Sequence, residues 1–273
     1  MPLDYIKRSN KLSKSLHPST LFHFTKQSEV FFKILSDMKF NPSLAREMIQ
    51  GRGRGGRRNF AIPMVSFCDI RLTQLDEHTT KYGSFGFGLT KSWAEVNNLH
   101  PVLYMSRESN LFSLYNQRIR NIKDQLIPLW NVRHSIEKIE DIKRLESLKK
   151  EYSDLYNLLR YMKNYKGKLI REGEKINENF IFADEKEWRY VPEPFIGDMW
   201  PSLNLEKVKS KYEKAQLSKK FSDYSVSFSI SDIKYLLVPD ENYVSNLSSF
   251  LSNLNIKNFS NKILTMSQVK DDF

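Results

Sequence analysis

Cysteine is almost missing from this chain: Cys68 is the single one in 273 residues. That excludes an internal disulfide and any zinc site built on clustered cysteines. Long apolar runs are missing too, and none approaches the roughly 20 residues of a membrane-spanning helix. Met1 to Lys14 is basic and polar and lacks the apolar core of a signal peptide. The expectation is a soluble, intracellular, cytoplasmic protein without a membrane partner. There is no internal repeat and no metal-ligand spacing; His134 stands alone in the middle of the chain, so no metal is expected. Acidic residues are outnumbered, 32 Asp and Glu against 43 Lys and Arg, for a net charge of +11. That imbalance favours a polyanionic partner, nucleic acid first. Many lysine-rich proteins carry such a charge with no particular partner, and that reading stands beside the first.

What is present suffices for a sizeable core, since 40% of the residues are hydrophobic. Residues 1–18 read as a flexible, basic lead-in, and 19–273 as one α+β domain. Ser19–Thr25 alternates as a strand with Leu21, His23 and Thr25 on one face and Phe22 and Phe24 on the other. A helix follows, with Ser28 as its N-cap, and Asn41-Pro42 closes it; Ser43 to Ile49 reads as another short helix. Gly51-Arg-Gly-Arg-Gly-Gly-Arg-Arg58 places Arg52, Arg54, Arg57 and Arg58 in a loose, glycine-rich loop, a candidate nucleic-acid contact. It lacks the Lys-Ser/Thr that a P-loop needs. The alternative for this loop is a surface segment with no ligand.

Ile62 to Ile70 is the next strand, with Cys68 as a small buried hydrophobe. In Lys81 to Thr90, bulky Phe85, Phe87 and Leu89 alternate with Ser84, Gly86 and Gly88. A strand face so bare suggests another backbone or a flat ligand against it, with Tyr82 at its mouth able to stack on a ring. Ser92-Trp-Ala-Glu95 has the form of a capping box, and Pro101 to Ser106 of a strand. From about 110 to 165 the pattern turns helical and charged, and Pro128 is expected to divide it into a hairpin of two helices inserted in the β-rich domain. Residues 161–175 read as a basic connector, 206–222 as a surface helix or loop, and the chain closes with strand, helix and strand.

Phe182 to Val191 reads as one strand, Glu185, Glu187 and Arg189 pointing one way and Trp188 and Tyr190 into the core. Two carboxylates beside an arginine on a rigid element can form a charged site, or simply a solvated strand face with an ion pair.

The set His23-Phe-Thr25, Pro63-Met-Val-Ser-Phe-Cys-Asp69, Tyr82-Gly83 through Gly88-Leu-Thr90, and Glu185-Lys-Glu-Trp-Arg-Tyr190 resembles the AbiGi family of abortive phage-resistance proteins, from about residue 19 to 195, with a weaker similarity in the closing strand, helix and strand. It also resembles bacterial domains with a His-x-Thr strand and a late Glu-Trp-Arg strand. The order of these motifs is similar to that of ADP-ribosyltransferases of the His-Tyr-Glu kind. The resemblance implies an ADP-ribosyltransferase-like β-rich core that takes NAD as substrate. His23 would hold a ribose and Tyr82 stack on nicotinamide. Thr25 and Ser66 would line the site, and Glu187 would bind the ribose hydroxyl and stabilise the oxocarbenium-like charge. Glu185 would orient or deprotonate an acceptor. Arg189 would bind a phosphate or pair with a glutamate.

Two functions from different classes follow. One is a phage-defence or toxin-type ADP-ribosyltransferase that moves ADP-ribose from NAD to a macromolecule such as nucleic acid. The other is a non-catalytic, antitoxin-like component that uses the same fold to hold a partner protein.

Overall fold

The computed structural model describes residues 17–53, 55–169, 176–193, 195, 203, 205, 208, 210–256 and 259–272. The basic lead-in up to residue 16, Arg54, the end of the connector at 170–175 and much of 196–209 lie outside them.

The fold is mixed α+β, as its alternating patterns predict. β1 (Thr20–Thr25) leads into α1 (Ser28–Asp37), then β2 (Lys39–Phe40), β3 (Ser43–Gln50) and β4 (Arg57–Cys68). Next come α2 (Leu75–Tyr82), β5 (Phe85–Thr90), α3 (Lys91–Val96), β6 (His100–Pro101) and β7 (Leu103–Met105). The hairpin of α4 (Asn110–Asn131) and α5 (Ile139–Leu159) is followed by β8 (Met162–Asn164), β9 (Lys166–Leu169), β10 (Asn177–Ile181) and β11 (Glu187–Tyr190). α6 (Lys211–Ser218), β12 (Val226–Ser227), β13 (Ile233–Val238), α7 (Glu241–Asn253), β14 (Ile263–Thr265) and α8 (Met266–Asp272) complete the chain.

Eight strands form the main sheet in the order β14-β13-β5-β1-β4-β11-β6, with β3 paired to β4. All its pairs are antiparallel except β13 with β14. Alternation along β1 sends Leu21 to one face, among Phe31, Phe67 and Phe87 beneath α1, α3 and α7. Phe22 goes to the other, with Cys68, Leu75, Met266 and Val269 under α2 and α8. A third core forms where α4 and α5 cover β3 and β4, joining Ile49, Phe60 and Ile62 to Phe112, Ile119, Tyr152 and Leu159.

Several local expectations fail for identifiable reasons. Ser43 to Ile49 is a strand, because eight successive residues pair with β4 from Ser43↔Met64 to Gln50↔Arg57. Ser28 lies inside α1, whose N-cap is Gln27 without a side-chain bond. Helix α3 is capped by Thr90, whose hydroxyl accepts from Trp93 N at 3.3 Å, so Ser92-Trp-Ala-Glu95 is not its cap. Pro128 sits inside α4, close enough to its end that the helix stops at Asn131 and not at the proline. The helical hairpin itself is as expected. The bare face of β5 holds no room for a flat ligand. A Cβ on Gly86 would lie 2.7 Å from the Phe24 ring, and one on Gly88 would lie 2.9 Å from the Phe22 ring. Side chains of β1, along with Leu237 and Tyr235 of β13, fill the space the glycines leave.

Candidate functional site: a buried carboxylate–cation cluster beside a split in the sheet

β1 and β4 pair in register at one point, Phe22↔Cys68. The next antiparallel step would bring Phe24 to Ser66, but the strands part there. His23 reaches across instead and donates from Nδ1 to Ser66 O at 2.8 Å. The ring packs against Phe40 and Phe67, with centroids 4.9 and 5.4 Å away. Burial lowers the His23 pKa more than the carbonyl bond raises it, so the imidazole is held neutral, Nδ1 carrying the proton.

Beside the split lies a cavity of about 310 Å³, whose lining includes His23, Ser66, Tyr82, Lys163, Glu185 and Glu187. The structure therefore brings five of the expected site residues together. It places them differently from one flat strand face. Phe182 to Glu185 is a turn of 3-10 helix, and Lys186 takes a left-handed φ of 42°. The strand starts only at Glu187, so Glu185 arrives from the turn before it. Tyr82 ends helix α2, stacks on His78 with centroids 4.3 Å apart, and donates to Glu185 Oε1. Its ring faces a histidine, where an open aromatic face had been expected. Thr25 does not line the cavity; its hydroxyl accepts from Gln27 N at 3.4 Å, outside it.

On β11 the pair Glu187 and Arg189 points inward, Arg189 with no exposed surface at all. Arg189 Nε donates to Glu187 Oε1 at 2.8 Å and Nη2 to Oε2 at 3.0 Å. The same Nη2 reaches Glu47 Oε1 at 2.7 Å, and Nη1 donates to Arg160 O at 3.2 Å. The arginine is thus an internal ion-pair partner. Ser66 Oγ adds a bond to Glu187 Oε1 at 2.9 Å, and Tyr104 Oη accepts from Glu187 N at 2.9 Å. Lys163 Nζ bridges the two glutamates, 2.7 Å from Glu185 Oε2 and 2.9 Å from Glu187 Oε2.

The charges follow from these contacts. Burial works against the Glu187 carboxylate, but Arg189 and Lys163 outweigh it and hold its pKa far below the usual range. Burial also opposes the Lys163 ammonium, and Glu187, Glu47 and Glu185 together raise its pKa above normal. Glu47 goes the other way: its burial, reinforced by Glu187 and Glu185, exceeds the pull of Arg189 and Lys163 and raises it. The Tyr104 hydroxyl is pushed up to about 12, chiefly by burial. Cys68, on the cavity wall, is raised well above a free thiol by burial and then by Glu185 and Asp69, which leaves it a thiol and no nucleophile.

Lys163 and Glu47 escaped the sequence reading. Lys163 falls in what reads as a basic connector, yet Met162 and Asn164 around it are buried and make a strand. Asn164 clasps the end of β3, its Nδ2 donating to Gln50 O and its Oδ1 accepting from Gln50 N, both at 2.8 Å. Glu47 was concealed by the helical reading of 43–49. The order Ser-Leu-Ala-Arg-Glu-Met-Ile-Gln carries no clean two-residue alternation, so no local signal marked Glu47.

The basic loop is reshaped as well. It is the β3–β4 turn, closed by Gly51 N donating to Gly56 O at 2.7 Å and laid against α4. Arg52 and Arg57 are exposed, but Arg58 is buried and donates to Asn116 Oδ1 at 3.2 Å, so it contacts no outside ligand. Arg54 lies outside the described residues. Among the described residues, no group of histidine, cysteine, aspartate and glutamate side chains is placed to hold a metal. No described helix is long and apolar enough to cross a membrane.

A mixed α+β fold with a helical hairpin over a buried ion cluster is the class these observations define. Residues 52–239 match the family model of the abortive phage resistance protein AbiGi, described as an antitoxin. The chain belongs to this AbiGi family. It is similar to the abortive phage resistance protein AbiGi of Lactococcus lactis subsp. cremoris, 29% identical over 198 residues, covering 66% of this chain and 73% of that protein. No solved structure matches the chain. The family match takes in the Glu185–Tyr190 motif and, as the weaker similarity of the closing segment led one to expect, β13, but it begins after His23–Thr25.

Proposed function

We propose that this protein is a non-catalytic, antitoxin-type component of an abortive phage-resistance system, acting by holding a partner protein of that system. One observation carries the reading: Glu187, the carboxylate a transfer reaction would need, is saturated. Its two oxygens receive four bonds, from Ser66, Lys163 and twice from Arg189. A carboxylate already neutralised by two cations has little field left to stabilise a developing positive charge. Such a cluster instead ties β3, β8 and β11 together behind the surface. The family description as an antitoxin supports the same reading. The test is co-expression with the growth-arresting protein of the same defence system, followed by affinity capture. Rescue of growth with a stable complex is expected, unchanged in Ser66→Ala and Tyr82→Phe. Failure of both rescue and capture would sink the reading.

A second reading, NAD-dependent ADP-ribosyl transfer on an ADP-ribosyltransferase-like core, is favoured by the convergence of His23, Ser66, Tyr82, Glu185 and Glu187 on one cavity. At about 310 Å³ the cavity is at the small end for ligand pockets. In that reaction the bond between nicotinamide and ribose breaks, and an acceptor oxygen or nitrogen takes the ribose carbon and gives up its proton. Release of nicotinamide from labelled NAD, with DNA, RNA or lysate as acceptor and lost in His23→Ala, would establish it. The first reading expects no release.

A further inference from the structure

The fold gathers four arginines outside the buried cluster, Arg52, Arg57, Arg107 and Arg120, around the β3–β4 turn. Ser113 Oγ of α4 donates to Arg52 O, Asn116 Nδ2 to Gly55 O at 2.6 Å, and Arg120 Nη2 to Arg57 O at 2.7 Å. A Cβ on Gly51 or Gly56 would fall 2.7 Å from Ser113 Oγ, so only glycine lets the turn lie this close to the helix. Arg107 joins from the segment before α4, its Nη2 donating to Gln50 Oε1 at 2.9 Å. Arg52, Arg57, Arg107 and Arg120 are all exposed. Among the described residues none of the four pairs with a carboxylate, whereas Arg118 on the same helix is bound to Glu151. Behind them stand buried Arg58 and half-buried Lys123, whose pKa is lowered by burial and then by Arg58, with Asp124 offsetting part of this. Positive charge is therefore concentrated here beyond what the protein itself neutralises.

We propose that this surface, the β3–β4 turn with the facing side of α4, binds the phosphodiester backbone of nucleic acid. The guanidinium fork matches phosphate oxygens two at a time. Exposed Asn59, Gln117 and Asn121 beside it are side chains suited to phosphate, sugar and base edges. Nucleic-acid interfaces are polar and strongly positive, while the centre of a protein interface is more apolar and depleted of charge. Of the exposed apolar residues of α4, Leu111 and Leu114 sit around the helix from Arg120, while Ile127 lies two turns beyond Arg120 on its face. The inference is independent of the partner-holding reading.

Fluorescence anisotropy with short labelled single-stranded RNA, single-stranded DNA and duplex DNA tests it. Four phosphate contacts predict that binding weakens about a hundredfold between about 50 and about 200 mM salt. The triple variant Arg52→Glu, Arg57→Glu, Arg107→Glu should bind at least about tenfold more weakly, with a salt slope smaller by about 2 to 3. Its thermal unfolding, followed by circular dichroism, should match the wild type, since all three side chains are exposed. Absence of binding to every polymer, or equal binding by the triple variant, overturns the proposal. So does polyglutamate competing as well as the oligonucleotides, which would assign the surface to an acidic protein.

Discussion

Arg189 and Glu187 stand two residues apart on one strand, and the guanidinium closes on both carboxylate oxygens at 2.8 and 3.0 Å with Arg189 wholly buried. A pair at this spacing on an exposed strand would contribute little. Buried, each charge depends on the other.

Removing one partner of a buried ion pair strands the other in a poor solvent for charge, at about 3 to 5 kcal/mol. Arg189→Met should therefore lose about that much stability in urea denaturation, since it leaves Glu187 and Glu47 facing one another with only Lys163 between. Replacing Arg57 by Met, an exposed arginine, should change stability by less than about 0.5 kcal/mol.

Stability should fall as pH drops through the range where histidine titrates. The His23 pKa is lowered in the fold, so the unfolded chain, with its histidine near about 6.5, takes up the proton first. The contribution is complete above that value and is lost progressively below it. Glu187, also depressed, adds its own loss only below about pH 4.3, where the unfolded carboxyl begins to protonate. Melting temperatures measured from neutral pH down to about pH 5 should decline more steeply for the wild type than for His23→Asn. An equal decline in both would show that His23 is not the group responsible.

Glycine-to-alanine changes on β5 should destabilise, although alanine ordinarily suits a strand better. In Gly88→Ala the new methyl meets the Phe22 ring at 2.9 Å, and overpacking of this kind costs about 1 to 3 kcal/mol. Gly83→Ala should be worse, because its φ of 106° disfavours any side chain and the Thr25 carbonyl lies against the added atom. Chemical denaturation of the two variants side by side checks both the sign and the order.

The Cys68 thiol should be inert toward a thiol-specific reagent such as Ellman's in the folded protein and react fully once unfolded in urea. It is buried and its pKa is raised, so both access and thiolate are missing. Rapid labelling under native conditions would mean that the cavity wall opens.

Much of the fold was legible locally. The alternation of Leu21, His23 and Thr25 against Phe22 and Phe24 marked a strand, and the apolar spacing of about 110–165 marked a helical pair. Ser43 to Gln50 was not, because its mixed polar and apolar residues follow neither period cleanly until β4 is laid beside them. The site divides the same way. Glu187, Glu185, His23, Ser66 and Tyr82 were singled out by type and order, and they do share a cavity. Their roles were not legible, since Lys163 comes from a strand that reads as a connector and Glu47 from one that reads as a helix.

The sequence by itself determined composition, the excess of positive charge, the lack of an internal disulfide, and the membership in AbiGi carried by short motifs in order. These follow from residue type and near-neighbour spacing, which need no partner to be read. Only the tertiary structure decided that Arg58 turns inward while Arg107 and Arg120 join the exposed turn. It alone decided that Glu187 is enclosed by Ser66, Lys163 and Arg189. Whether a charge is a site or a strut depends on which distant charges are packed within about 3 Å of it and on how much water remains, and both are properties of the folded chain.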